Sequence, residues 1–159
     1  MAVQVAVCGP GECTGAERDA AWETGRLLAG RGAVVVCGGY GGVMAAVAAG
    51  ARSAGGVVVG VLSGADRAGA SPDLTVALAT GLGQARNAVI VGSADAVIVV
   101  GGSWGTLSEL ALAMRRGGVP VVQLGGWRVL DEGGSPPPGV RYAASPAEAV
   151  ALTGLWDGR

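Results

Sequence analysis

Three turns rich in glycine carry the residues best suited to chemistry: Gly9-Pro10-Gly11, Gly38-Gly39-Tyr40-Gly41-Gly42 and Gly101-Gly102-Ser103-Trp104-Gly105-Thr106. Each stands between a short apolar run and a stretch of helical spacing. A strand-to-helix turn of this kind brings backbone N–H groups close to an anion, and the positive end of the helix dipole adds to the attraction. In the third turn Thr106 adds a hydroxyl, and Glu109, one helical turn later, would stand beside a sugar attached to a bound phosphate. Thr106-Leu107-Ser108-Glu109 is equally a capping box, which accounts for both residues without a ligand, and local sequence leaves the two accounts level. Gly38 to Gly42 would form a second wall of a phosphate cradle, although glycines after buried strands also serve turns alone. Arg86, in Gly81-Leu82-Gly83-Gln84-Ala85-Arg86-Asn87, offers a fork of donors that never loses its charge; its other reading is a solvated surface arginine. Tyr40 and Trp104 either stack on a planar ring or close their loops by packing.

Missing residue types narrow the chemistry further. Among 159 residues there is no histidine, and all 11 basic side chains are arginine. Without histidine there is no Ser-His or Cys-His nucleophile pair and no histidine-ligated zinc, and no metal site is expected. Without lysine there is no Walker lysine and no anchor for pyridoxal phosphate. Cys8 and Cys37, with no cationic neighbour of those types to lower their pKa, read as small buried hydrophobes.

A net charge of −1 with no cluster of like charges shows no nucleic-acid footprint. No run approaches the ~18 apolar residues of a membrane-spanning helix. The three cysteines form no CxxC pair, and a strand-like segment opens the chain in place of a signal region, so a reducing cytoplasm is expected. Mean hydropathy is +0.49 with little charge, which points to apolar surface covered in a homo-oligomer.

These residues need a scaffold, and the rest of the sequence describes one. Val3 to Cys8, Ala33 to Cys37, Val57 to Leu62, Leu74 to Ala79, Ala96 to Val100 and Val119 to Leu124 are near-continuous apolar runs, as expected of strands buried on both faces. Thr14-Gly15-Ala16-Glu17 opens one helix with a capping box, Val43 to Ala51 and Leu107 to Met114 carry apolar stripes of two more, and a further helix runs through Val89, Ile90 and Val91. After an exposed loop at Asp131 to Pro138, Val140 to Ala143 suits an edge strand, and Ser145-Pro146-Ala147-Glu148 starts a last helix. The alternation predicts a single domain over 1–159: a Rossmann-like, doubly wound parallel sheet of six or seven strands with helices on both faces, all three glycine turns lying on its carboxyl rim. The position of Leu74 to Ala79 in the strand order stays open.

Gly101-Gly102-Ser103-Trp104-Gly105-Thr106-Leu107-Ser108-Glu109 resembles the Pro-Gly-Gly-x-Gly-Thr-x-x-Glu signature of the LONELY GUY (LOG) phosphoribohydrolases, often misannotated as lysine decarboxylases. Gly38-Gly39-Tyr40-Gly41-Gly42-Val43-Met44 and Gly83-Gln84-Ala85-Arg86-Asn87 are closer to the molybdenum cofactor carrier-like branch of that superfamily. Gly101, Ser103 and Asn87 stand where the LOG enzymes have proline, glycine and lysine. The resemblance implies a Rossmann-like protein that forms a homodimer or homotetramer, with Arg86 and Glu109 acting at a ribose phosphate. Gly9, Pro10, Gly38 to Gly42, Asn87 and Gly101 to Thr106 would surround the ligand, a nucleoside monophosphate or a phosphorylated pterin cofactor, with no other cofactor required. Two functions stay open: cleavage of the N-glycosidic bond of a nucleoside 5′-monophosphate, and a carrier or sensor that holds its ligand without turnover. Lysine decarboxylation is excluded, since the chain has no lysine.

Overall fold

A run such as Val97-Ile98-Val99-Val100 has no polar face to offer water, so it must be covered on both sides. The computed structural model, which describes residues 1–158, covers such runs in one seven-stranded sheet. The strands are β1 (Gln4–Cys8), β2 (Val34–Cys37), β3 (Val58–Leu62), β4 (Val76–Ala79), β5 (Ala96–Val100), β6 (Val121–Leu124) and β7 (Val140–Ala143). All pairings are parallel, in the order β4-β3-β2-β1-β5-β6-β7. Ala6 lies opposite Val36 on one side and Val97 on the other.

The helices are α1 (Gly15–Gly30), α2 (Val43–Ser53), α3 (Arg86–Gly92), α4 (Trp104–Arg116) and α5 (Pro146–Leu152). Alternate strand residues divide the core into two layers, as the period of two requires. Val5, Val7, Val35 and Ile98 pack with α1, α2 and α5, while Ala6, Cys8, Val36 and Val97 pack with Ile90 of α3 and Leu110 and Ala113 of α4. The box that opens α1 forms as read: Glu17 N–H donates to Thr14 Oγ1 at 3.1 Å, and Thr14 N–H donates to Glu17 Oε2 at 2.9 Å.

β4 departs from its sequence reading. It is an edge strand, with Val76 43% and Leu78 48% exposed, rather than a strand buried on both faces. Leu74, included in that run, precedes the strand; its side chain fills the space left by Gly60, where an added Cβ would lie 2.5 Å from it.

The first four strands run outward from β1 in chain order, and the chain then returns to the other side of β1 with β5. The connections leaving β1 and β5 therefore part in opposite directions, and a crevice opens between them at the carboxyl ends. Open α/β sheets place ligands at such a switch point.

Candidate functional site

A hollow of about 110 Å³ occupies that crevice. Gly9 and Gly11 border it after β1, Gly105, Thr106 and Glu109 come from α4, and Arg86 and Asn87 open α3. Met44 of α2 and Gln84 complete its wall.

Arg86 is 7% exposed, which contradicts the solvated-surface reading. Its Nη1 donates to the carbonyls of Gly38 at 2.7 Å and Val61 at 2.5 Å, and its Nε donates to Asn87 Oδ1 at 2.9 Å. Asn87 is fixed in turn, its Nδ2 donating to Ser108 Oγ at 3.1 Å and Gln84 Oε1 at 3.4 Å. Gly38 makes this seat possible, because a Cβ there would stand 2.8 Å from Nη1. The Tyr40 ring lies 5.7 Å from the guanidinium carbon, and the Tyr40 hydroxyl oxygen accepts the Gly64 N–H at 3.1 Å. Three of the five guanidinium N–H groups are thus committed to protein acceptors. The two on Nη2 have none among the described residues. A bidentate fork needs Nη2 together with Nη1 or Nε, so Arg86 presents a single two-proton edge instead.

Glu109 is also 7% exposed. Burial pushes its carboxyl up to about 7, against the smaller opposing pulls of the Arg86 charge and the Cys8 thiol. The one ion pair among the described residues joins Arg26 and Glu23, so Glu109 is not paired with Arg86. Cys8 lies beneath, its thiol raised well above the ordinary range, first by burial and then by the Glu109 charge. It is unreactive in that state.

The capping box that was one of the two accounts of Thr106 and Glu109 does not form. Ser103 caps α4 at φ −161°, its Oγ accepting the Thr106 N–H at 3.2 Å, while Thr106 Oγ1 lies 2.9 Å from the same oxygen. The chain is turned at Gly101, with φ +71°, so the helix starts early enough for the first good cap to be Ser103. Glu109 is thereby free of any capping role and faces the hollow. At α2 the N-cap is Gly42, with φ +62° and no side-chain cap; its Cβ would collide with the Pro10 carbonyl, which accepts the Val43 N–H at 3.0 Å. The amino ends of α2 and α4 thus both border the hollow.

Of the residues singled out in the sequence, Gly9, Arg86, Asn87, Gly105, Thr106 and Glu109 meet at this hollow. Pro10, Gly38 and Gly42 stand behind it as the supports just described. Gly39 packs on Leu62 and Leu74, Gly41 lies near the Gly11 carbonyl, Gly101 lies against Glu17, and Gly102 lies under Trp127. Trp104 is 78% exposed and meets Trp127 edge-on with ring centroids 5.0 Å apart. Gly11, Met44 and Gln84 also line the hollow; they stand within the quoted glycine turn and motifs, but none was assigned a place at the ligand.

The strand order, the crevice at the switch point and the glycine turns define a Rossmann-like α/β protein. Its sequence matches the model of the SLOG cluster4 family over residues 2–150, and the chain belongs to that family. An uncharacterized protein of Archaeoglobus fulgidus is 41% identical over 149 residues, covering 90% of this chain and 95% of that one. The molybdenum cofactor binding protein of Rippkaea orientalis superposes with a TM-score of 0.85 at 32% identity, covering 96% of this chain and 95% of that one. The molybdenum cofactor carrier protein of Chlamydomonas reinhardtii gives 0.81 at 32%, covering 95% of each chain. The resemblance to the carrier-like branch is borne out. Among the described residues no helix is long and apolar enough to cross a membrane, and no group of three or more His, Cys, Asp or Glu is placed to hold a metal ion.

Proposed function

We propose that this chain binds the phosphate of a nucleotide-like small molecule in the switch-point hollow. The observation that carries the proposal is the buried Arg86, locked by three hydrogen bonds so that only its Nη2 edge, two uncommitted donors, is left for a ligand. The Gly105 amide, in the uncapped part of the first turn of α4, adds a further donor, and the helix dipoles of α2 and α4 favour an anion there. A hollow of about 110 Å³ admits a phosphate but not a nucleotide. Whole small-molecule pockets run to roughly 300–1,000 Å³, so the rest of the ligand lies outside, across the rim.

Two forms of this function share the site and differ in turnover. The names of the relatives at 32% identity favour a carrier of a phosphorylated pterin of the molybdenum cofactor type. The meeting of Arg86 and Glu109 in one hollow favours hydrolysis, with Arg86 on the phosphate and Glu109 orienting the ribose and stabilising positive charge at the anomeric carbon. On either form the protein is cytoplasmic and requires no other cofactor. Val76, Leu78, Leu82 and Val89, each at least 40% exposed, supply apolar surface for a homodimer or homotetramer.

Met44 is the methionine on the wall of the hollow, so its ¹³C-labelled methyl group reports occupancy. Nucleoside monophosphates and phosphorylated pterins are titrated in turn, and free base is measured by chromatography. Binding is supported by a saturable Met44 shift that is lost in Arg86→Ala. Released base assigns hydrolysis, whereas a shift with no release assigns the carrier. A Met44 resonance that no phosphorylated ligand moves refutes the proposal.

A further inference from the structure

α4 has a second working face. Thr106 and Glu109 point to the phosphate hollow, while Leu107, Leu110, Ala111 and Met114, displaced round the helix by its 3.6-residue period, border a separate cavity of about 190 Å³. β6, β7 and the loop 125–139 make the opposite wall, through Gln123, Val129, Pro137, Val140 and Tyr142. Gln123 and Tyr142 are its only polar side chains, and none is charged. The Tyr142 ring is held from elsewhere by the Arg128 guanidinium, 4.3 Å from its centroid.

Gln123 is anomalous in its place. It lies in a strand whose other residues are Val121, Val122 and Leu124, is 3% exposed, and donates from Nε2 to the Trp127 carbonyl. Its Oε1 is buried without a partner, the one such side-chain nitrogen or oxygen among the described residues. A leucine would pack in that strand without this cost. Gln123 itself lines this apolar cavity, and an unpaired buried acceptor on it is accounted for by a donor that something else brings.

We infer that this cavity is a second ligand site, for a neutral monocyclic or bicyclic aromatic molecule whose hydroxyl or ring N–H donates to Gln123 Oε1. The size fits, since an apolar cavity of about 150 Å³ is enough to bind benzene. The carbon walls supply the hydrophobic term, and the absence of a charged side chain disfavours ions. The site owes nothing to the phosphate hollow, from which α4 separates it. A water donor in the adjoining hollow of about 10 Å³, which Gln123 also lines, would satisfy the amide equally well, and the experiment distinguishes the two.

Phenol and toluene are matched probes, alike in size and differing in the donor. Each is titrated into ¹³C-methyl-methionine protein, where Met114 reports this cavity and Met44 the other hollow. The expected result is a saturable shift of Met114 with Met44 unmoved. In Gln123→Met the ratio of phenol to toluene affinity falls about five- to tenfold, the worth of one buried hydrogen bond. Ala111→Phe, at an exposed helix position on the cavity mouth, abolishes binding of both probes without touching the core. The inference is overturned by an unmoved Met114, by binding that survives Ala111→Phe, or by an affinity ratio that Gln123→Met leaves unchanged, the outcome expected if water satisfies the amide. Should Gln123→Met fail to fold, the wild-type Met114 shift and its loss in Ala111→Phe decide the matter.

Discussion

Replacing Glu109 by glutamine keeps the shape of the hollow and removes its proton equilibrium. In the folded chain burial raises this carboxyl from the ordinary 4.5 to about 7. At about 1.36 kcal/mol per tenfold step, holding the ionised form in place costs about 3 kcal/mol of stability. The sign follows from which state binds the proton more tightly. Below pH 4.5 the group is protonated whether the chain is folded or not, and nothing is lost. As pH rises towards 7 the unfolded chain ionises first, and the folded state loses stability relative to it; above 7 the loss is complete. Twelve acidic residues titrate somewhere in this protein, so the wild-type curve alone is uninformative. The difference between wild type and Glu109→Gln isolates one of them. Urea denaturation at half-unit steps from pH 4.5 to 8.5 should give curves whose separation grows across this window in favour of the variant. The gap at pH 8 should approach about 3 kcal/mol, or on the order of 5–10 °C in Tm for a chain of this length. Curves that stay parallel from pH 4.5 to 8.5 would refute the claim that Glu109 is buried without a compensating charge.

With a phosphorylated ligand, wild-type affinity should weaken about tenfold between pH 6 and pH 8 beyond any change shared with Glu109→Gln, because the anion prefers a neutral Glu109; isothermal titration across that range measures both slopes. Arg86→Lys should lose at least tenfold in affinity and about 1–3 kcal/mol in stability, since one ammonium cannot serve Gly38, Val61, Asn87 and a ligand together; calorimetry and urea melts read the two effects. Ser103→Ala removes the cap of α4 and should lower stability by about 1 kcal/mol, a Tm drop of roughly 2–4 °C by scanning calorimetry.

The strands were legible because buried parallel strands leave an unmistakable apolar run: all six expected apolar runs contain an observed strand, five of them with an end trimmed and Ala96 to Val100 unchanged. The exposure of β4 was not, since an apolar run carries no sign of whether another element covers it. The cap of α4 was missed for a different reason: only Thr106 was weighed as a cap, and the use of Ser103 instead rests on how the chain turns at Gly101. The buried seat of Arg86 was half visible. Its place at a helix start could be read locally, but its burial depends on carbonyls 48 and 25 positions away in sequence. Gln123 showed least of all, because a single polar residue in a strand becomes anomalous only once its neighbours fail to satisfy it.

Arg86 and Glu109 border one hollow, yet the arginine spends its bonds on backbone carbonyls rather than on the carboxylate. Arg86 therefore keeps its two Nη2 donors uncommitted, and the Glu109 carboxyl, pushed up to about 7 by burial, changes its charge in a modest field. The two forms of the proposed function ask opposite things of that proton. A bound phosphate is repelled by an ionised Glu109 and gains a hydrogen-bond donor from a protonated one, so a carrier works best below pH 7 and takes up a proton as it loads. Cleavage at an anomeric carbon builds positive charge, which only the ionised carboxylate stabilises, so a hydrolase gains rate as pH rises through 7. The direction of the pH profile thus separates holding from cutting at the proposed site.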